Sequence, residues 1–178
     1  MSDVVIRLPH ATLRALTPAD APSLARNAND RRVWLNLRDA FPHPYTLEKA
    51  EEYIATFANQ SPRLRFGIEV DGEICGGVGM HPGTDIERIS AEVGYWIAAP
   101  HWGKGITTEA LKAITVYGHE MLGLRRLFAT PFASNAASAR VLEKAGYVYE
   151  GRMRSAAIKD GVVVDMLLYA HVAEGAAV

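Results

Sequence analysis

The chain holds one cysteine, Cys75, among 178 residues, so no internal disulfide can form and a reducing compartment is expected. It has no apolar run of about 18 residues, which argues against a membrane-spanning helix. Neither sign of charge dominates. Lys and Arg number 19 and Asp and Glu 20, a formal net of −1, which removes any general electrostatic drive toward nucleic acid or anionic lipid. No basic and aromatic stripe marks a nucleic-acid face. His10, His43, His81, His101, His119 and His171 form no H-x-x-x-H or Cys/His pairing, so no metal site is expected. Neither G-x-x-x-x-G-K-[ST] nor G-x-G-x-x-G occurs, and no internal repeat is visible. The first residues carry Asp3 and Arg7 among few apolar ones, unlike a secretory signal. These absences leave a cytosolic domain, an enzyme or a small-molecule binder.

What is present fits a folded chain with a sizeable core: 49% of residues are apolar and 22% charged. One domain over 1–178 is expected, with its core from about 12 to 171 and a frayed small-residue tail over 172–178. Val4–Leu8 and Thr12–Leu16 read as strands. Thr17-Pro18-Ala19-Asp20 then offers a cap, a proline at the first helical position and an acid three residues after the cap, opening a helix to about Asn29. Asp30 caps a short piece through Leu37. Thr46 opens a helix whose apolar side is Tyr53, Ile54 and Phe57.

Strands follow over Arg65–Val70 and Glu73–Met80, around the Asp71-Gly72 hairpin signal. Ser90–Ile97 alternates, with Ala91, Val93, Tyr95 and Ile97 on one face and Glu92, Gly94 and Trp96 on the other. A helix over about 107–122 has Ala110, Leu111, Ile114, Tyr117 and Met121 on its apolar side. A strand over Arg126–Pro131, a helix over Asn135–Ala145 closed by Gly146, and paired strands over Tyr147–Ala157 and Val162–His171 around Lys159-Asp160-Gly161 complete the order. The pattern predicts α+β or mixed α/β, a largely antiparallel sheet covered by helices.

The most informative stretch is Trp96-Ile97-Ala98-Ala99-Pro100-His101-Trp102-Gly103-Lys104-Gly105-Ile106-Thr107-Thr108. A strand delivers the chain to a glycine turn that opens directly into an amphipathic helix. The first N–H groups of such a helix lack intrahelical partners and carry partial positive charge. Gly103 and Gly105 let the backbone close around a pyrophosphate, and the Thr107 and Thr108 hydroxyls add donors. By themselves these residues are equally compatible with a plain connecting turn.

A second segment bears on that choice: Asn135-x-x-Ser138 followed by Leu142-Glu143-Lys144-x-Gly146-Tyr147. Together the two segments resemble the GNAT acetyltransferase superfamily, in its branch of RimJ/RimL-like protein N-terminal acetyltransferases. Trp102-x-x-Gly105-x-Thr107 matches the family's acetyl-CoA loop, [QR]-x-x-G-x-[GA], with Trp102 where Gln or Arg is commonest and Thr107 where Gly or Ala is. Arg38-Asp39-x-Phe41-Pro42-His43-Pro44-Tyr45 and the Gly151 to Asp165 stretch also fit, so the resemblance runs from about Arg14 to Tyr169.

The resemblance implies a GNAT fold with splayed middle strands and acetyl-CoA as co-substrate. Its pantetheine pairs with the backbone of Trp96, Ile97 and Ala98. Its pyrophosphate sits on the N–H groups of Gly103, Lys104, Gly105, Ile106, Thr107 and Thr108, Trp102 is a further cofactor-binding residue of the loop, and Asn135 contacts the cofactor or caps its own helix. Cys75, mid-strand, reads as a core residue, so direct attack by an amine is expected rather than a ping-pong route. Glu92 is the candidate base. Ser138 is the candidate acid at the thiolate, since Leu142 stands where many family members have a tyrosine. Trp34, Arg38 and Tyr45 are expected at the acceptor, a protein N-terminal α-amine or a small amine. The reading leaves the oligomeric state open and is compatible with a homodimer. A non-catalytic acyl-CoA-binding module of the same fold is the competing reading.

Overall fold

The computed structural model describes residues 4–175; Asp3 and the last three residues of the expected tail lie outside that range. Eight strands take the order β1-β2-β3-β4-β5-β6-β8-β7 in one open sheet. The chain divides into two compact units, Met1–Gly79 with Tyr95–Ala110, and Met80–Gly94 with Leu111–Val178.

In the first unit, β1 (Ile6–Arg7), β2 (Thr12–Arg14), β3 (Arg65–Val70) and the start of β4 (Glu73–Pro82) form an antiparallel run. Register places Leu13 opposite Ile68, both fully buried. The β3–β4 turn is made by Asp71 and Gly72 at φ 50° and 82°, the two consecutive left-handed residues that a type I′ hairpin requires. Gly76 of β4 is needed for a different reason. A Cβ there would stand 2.5 Å from the carbonyl oxygen of Trp96, so only glycine admits that approach of β4 to β5 (Ser90–Ile97). Cys75, beside it, is 3% exposed, as a core residue should be.

Three helices cover this unit: α1 (Ala21–Ala28), α2 (Arg31–Trp34) and α3 (Leu47–Phe57). The caps are those expected, with Asp30 Oδ1 accepting from Arg32 N at 2.8 Å and Thr46 Oγ1 from Lys49 N at 3.3 Å. Ala21, Leu24 and Ala28 of α1 meet Ala50 and Ile54 of α3, with Tyr45 and Ile74 in the same cluster. The buried side of α3 is therefore Ala50 and Ile54; Tyr53, expected on it, is 37% exposed and packs edge-on against Phe57.

Asp20 does more than close a capping motif. Arg14 donates to both its oxygens at 2.8 Å and also pairs with Glu69, while the Thr17 N–H and hydroxyl donate to Asp20 Oδ2 at 2.7 and 2.9 Å. Burial pushes the Asp20 carboxyl up, but these donors outweigh it and hold it below the ordinary aspartate range. The unfolded chain then takes up this proton first as pH falls. The stabilisation is complete above the ordinary aspartate range and is lost as pH drops through the folded value. Asp20→Asn should cost about 2 kcal/mol at neutral pH, between an exposed and a fully buried pair. Thermal melts check this: the variant should melt about 4–8 °C lower at pH 7, and the gap should close in acid.

In the second unit, β5 pairs in parallel with β6 (Arg126–Ala129). Strand β8 (Val162–Val172) lies antiparallel to both β6 and β7 (Val148–Lys159). The strand β6 ends at Ala129, earlier than the pattern predicts, and Phe132 makes a single bridge to Met166. The turn between β7 and β8 repeats the earlier device, with Asp160 and Gly161 at φ 51° and 77°. Of the tail expected to fray, Val172 completes β8 and Ala173 N donates to Arg125 O at 2.9 Å.

Helix α4 (Ile106–Glu120) begins in the first unit and continues in the second. Ala110, Leu111, Ile114 and Tyr117 are buried as expected. Met121 is not; it falls past the helix end and is 71% exposed. Helix α5 (Ala136–Lys144) follows β6 and buries Leu142 completely. Among the described residues no helix is long and apolar enough to cross a membrane.

Candidate active site

The first unit carries the glycine loop. After β5, a short 3₁₀ turn over Ala99–His101 leads to Gly103 and Gly105, at φ 75° and 81°. A Cβ at either would meet nothing within 4 Å, so these glycines serve a backbone conformation and an open approach rather than relief of a crowded contact. The N–H of Glu109 donates to Gly105 O at 3.1 Å. The amides of Ile106, Thr107 and Thr108 precede that bond and belong to the helix's uncommitted N-terminal donors. With the helix dipole behind them they suit a phosphate. Ile106 itself is buried, while Gly103, Lys104 and Gly105 are exposed and Thr107 and Thr108 half-buried. Glu109 accepts from His10 at 2.8 Å, tying the β1–β2 turn to the first turn of α4.

Trp102 is 47% exposed, and its indole Nε1 donates to the Ile97 carbonyl at 2.8 Å, stapling the loop to the strand end. The Arg32 guanidinium lies 5.4 Å from the centre of its ring. Of the three residues expected to pair with pantetheine, Ala98 has both backbone groups engaged within the protein: its N–H donates to Cys75 O at 2.8 Å and its carbonyl accepts from His101 N at 2.9 Å.

The acceptor candidates lie in the same unit. Trp34 stacks on His43 with ring centres 5.6 Å apart, and the Arg31 guanidinium sits 5.4 Å from its ring. Arg38 is exposed. Tyr45 is 5% exposed and belongs to the helical core. Burial pushes its phenol well above the ordinary range. Phe41 joins the groups, 4.9 Å from Tyr45 and 5.4 Å from Trp96 by ring centres.

The acid–base candidates lie in the second unit. Glu92 is half-buried, and its Oε1 accepts from the Thr130 hydroxyl at 2.6 Å. The parallel register explains the pairing: Glu92 stands opposite Phe128, and the chain reaches Thr130 just past the end of β6. Asn135 caps α5, its Oδ1 accepting from Ser138 N at 3.1 Å. Ser138 lies on the same turn and is half-buried. Leu142, at the family's usual tyrosine position, is fully buried. Sequence reasoning missed Thr130 and Arg32. Both make contacts between elements, to Glu92 and to Trp102, that no local pattern announces.

The description "Acetyltransferase (GNAT) domain" matches residues 10–148. The chain belongs to the GNAT acetyltransferases. A Bacillus subtilis protein, YdaF, provisionally named a ribosomal N-acetyltransferase, is 32% identical over 168 residues, covering 90% of each chain. The structure of Mycobacterium smegmatis RimJ with a CoA disulfide superposes with a TM-score of 0.83 at 26% identity, covering 97% of this chain and 87% of that one. RimL, a ribosomal-protein α-N-acetyltransferase solved with coenzyme A, shares the fold at a TM-score of 0.83 and 21% identity, covering 95% of this chain and 98% of that one. This GNAT protein is thus an acetyl-CoA-dependent N-acetyltransferase, and its open glycine loop with N-terminal helix amides fits a CoA pyrophosphate. Among the described residues no group of three His, Cys, Asp or Glu side chains could hold a metal ion.

Proposed function

We propose that the enzyme acetylates a protein N-terminal α-amine, or a small amine, by direct attack on the thioester. Strand β5 carries the argument: it bears the Glu92 carboxylate and, four residues on, the Trp96–Ile97 stretch that receives the pantetheine. In this reading Glu92, held by Thr130, takes the proton of the attacking amine. The new N–C bond forms as the C–S bond breaks, and the Ser138 hydroxyl gives its proton to the departing thiolate, to be restored from solvent. The pyrophosphate rests on Gly103–Thr108, and Asn135, besides capping α5, adds a cofactor contact. The only thiol, Cys75, is buried in β4, which favours this single displacement over an acyl-enzyme.

For the acceptor, support comes from YdaF's name and from the half-buried Trp34 with the exposed Arg38 nearby in the chain; Tyr45, enclosed in the helical core, serves as a support beneath Phe41 rather than as a contact. The proposal holds for a monomer or a homodimer in the cytoplasm. The test is release of CoA thiol with peptides differing only in their first residue, beside a panel of small amines. One peptide class should be strongly preferred. Transfer to small amines alone would remove the peptide acceptor, and CoA binding with no thiol release on any amine would point to a binding module.

A further inference from the structure

Resting on the placement of CoA pyrophosphate at the glycine loop, we infer that Arg32, from helix α2, supplies the cofactor's phosphates with a second cation, from outside the loop. Trp102, next to Gly103, has no donor to offer, since its one side-chain N–H is spent on the Ile97 carbonyl. The loop keeps one cation of its own, Lys104. Arg32 stands over the face of Trp102, its guanidinium carbon 5.4 Å from the ring centre, so a positive charge from another element is placed beside the residue that precedes Gly103.

The guanidinium is also held in place. Asp30 accepts from Arg32 Nε at 3.1 Å and from Nη2 at 2.7 Å, and the same carboxylate accepts the Arg32 backbone N–H as the cap of α2. That pairing uses two of five guanidinium N–H groups. The two on Nη1 and the second on Nη2 point along the other edge, the geometry that grips a phosphate. The Asp30 contact and the indole face thus fix the orientation of an otherwise exposed side chain. Arg32 is a binding residue for the phosphate portion and touches none of the reacting atoms.

Calorimetric titration of the full-length protein with CoA and, separately, with phosphate-free pantetheine tests this. Arg32→Gln should weaken CoA binding about tenfold, the effect of losing one charge-assisted contact at an exposed site. Arg32→Lys, which keeps the charge but not the fork, should recover only part of the affinity, and added salt should erode the wild-type advantage. Pantetheine binding should not change in either variant. Equal CoA affinity in Arg32→Gln and wild type would overturn the inference, as would an equal loss toward pantetheine, which would mean that Arg32 only shapes the loop. Failure of the wild-type protein to bind CoA at all would instead overturn the cofactor placement.

Discussion

Gly105→Val should weaken CoA binding sharply while leaving a folded protein. The reason is not crowding, since a Cβ at Gly105 would meet nothing within 4 Å. It is the backbone: Gly105 sits at φ 81°, in the left-handed region that a β-branched residue avoids. Holding valine there costs about 1–3 kcal/mol. The loop can shed that strain by rotating its peptides, which turns the N–H groups before Glu109 away from the phosphates. Either way the anion site is lost, and the side chain also blocks close approach of the pyrophosphate. Affinity should fall by about a hundredfold or more. Calorimetry reads the affinity and a thermal melt confirms folding. Undiminished CoA affinity in the variant would refute this placement of the pyrophosphate.

Glu92→Gln should lower kcat by about 10²–10⁴-fold, the usual contribution of a general base, with CoA affinity unmoved. The substitution is conservative in the way that matters, because a glutamine Oε1 still accepts the Thr130 hydroxyl and the local packing survives. What disappears is the ability to take a proton. Ser138→Ala separates the second half of the reaction, since the alanine N–H still donates to Asn135 and the α5 cap persists. Transfer should slow on the order of 10²-fold, as when a single donor to a developing negative charge is removed. Normal turnover in Glu92→Gln would reduce Glu92 to a structural partner of Thr130 and leave positioning of the amine to carry the reaction.

Features decided within a few residues could be read from the sequence. Asp71-Gly72 and Asp160-Gly161 announce hairpins because two adjacent left-handed residues are costly for most side chains. Asp30, Thr46 and Asn135 announce helix starts because a short acceptor side chain satisfies an orphan amide. Gly103 and Gly105 belong to the same class, and with the Asn135-to-Tyr147 segment they made the family legible. Features decided by the packing of distant segments could not be read. Helical periodicity put Met121 with Tyr117 and Ile114, but α4 stops at Glu120, so the periodicity no longer governs it. Tyr45 looked like a cleft residue because it is aromatic and polar, yet the close approach of alanines on α1 and α3 encloses it. The Glu92–Thr130 bond depends on the parallel register of β5 and β6, and the Arg32–Trp102 contact on how α2 lies against the loop. Neither has a sequence period.

The lone thiol gives the protein a clean chemical silence. Cys75 is buried in β4 and burial pushes its thiol up, away from the reactive thiolate. A colorimetric thiol reagent added to the native enzyme therefore registers CoA released by turnover with almost no background from the protein. In denaturant the same reagent should find one equivalent per chain. Its rate of appearance below the unfolding midpoint reports how often the strand pairing around Gly76 opens, a built-in clock for local unfolding that needs no added label.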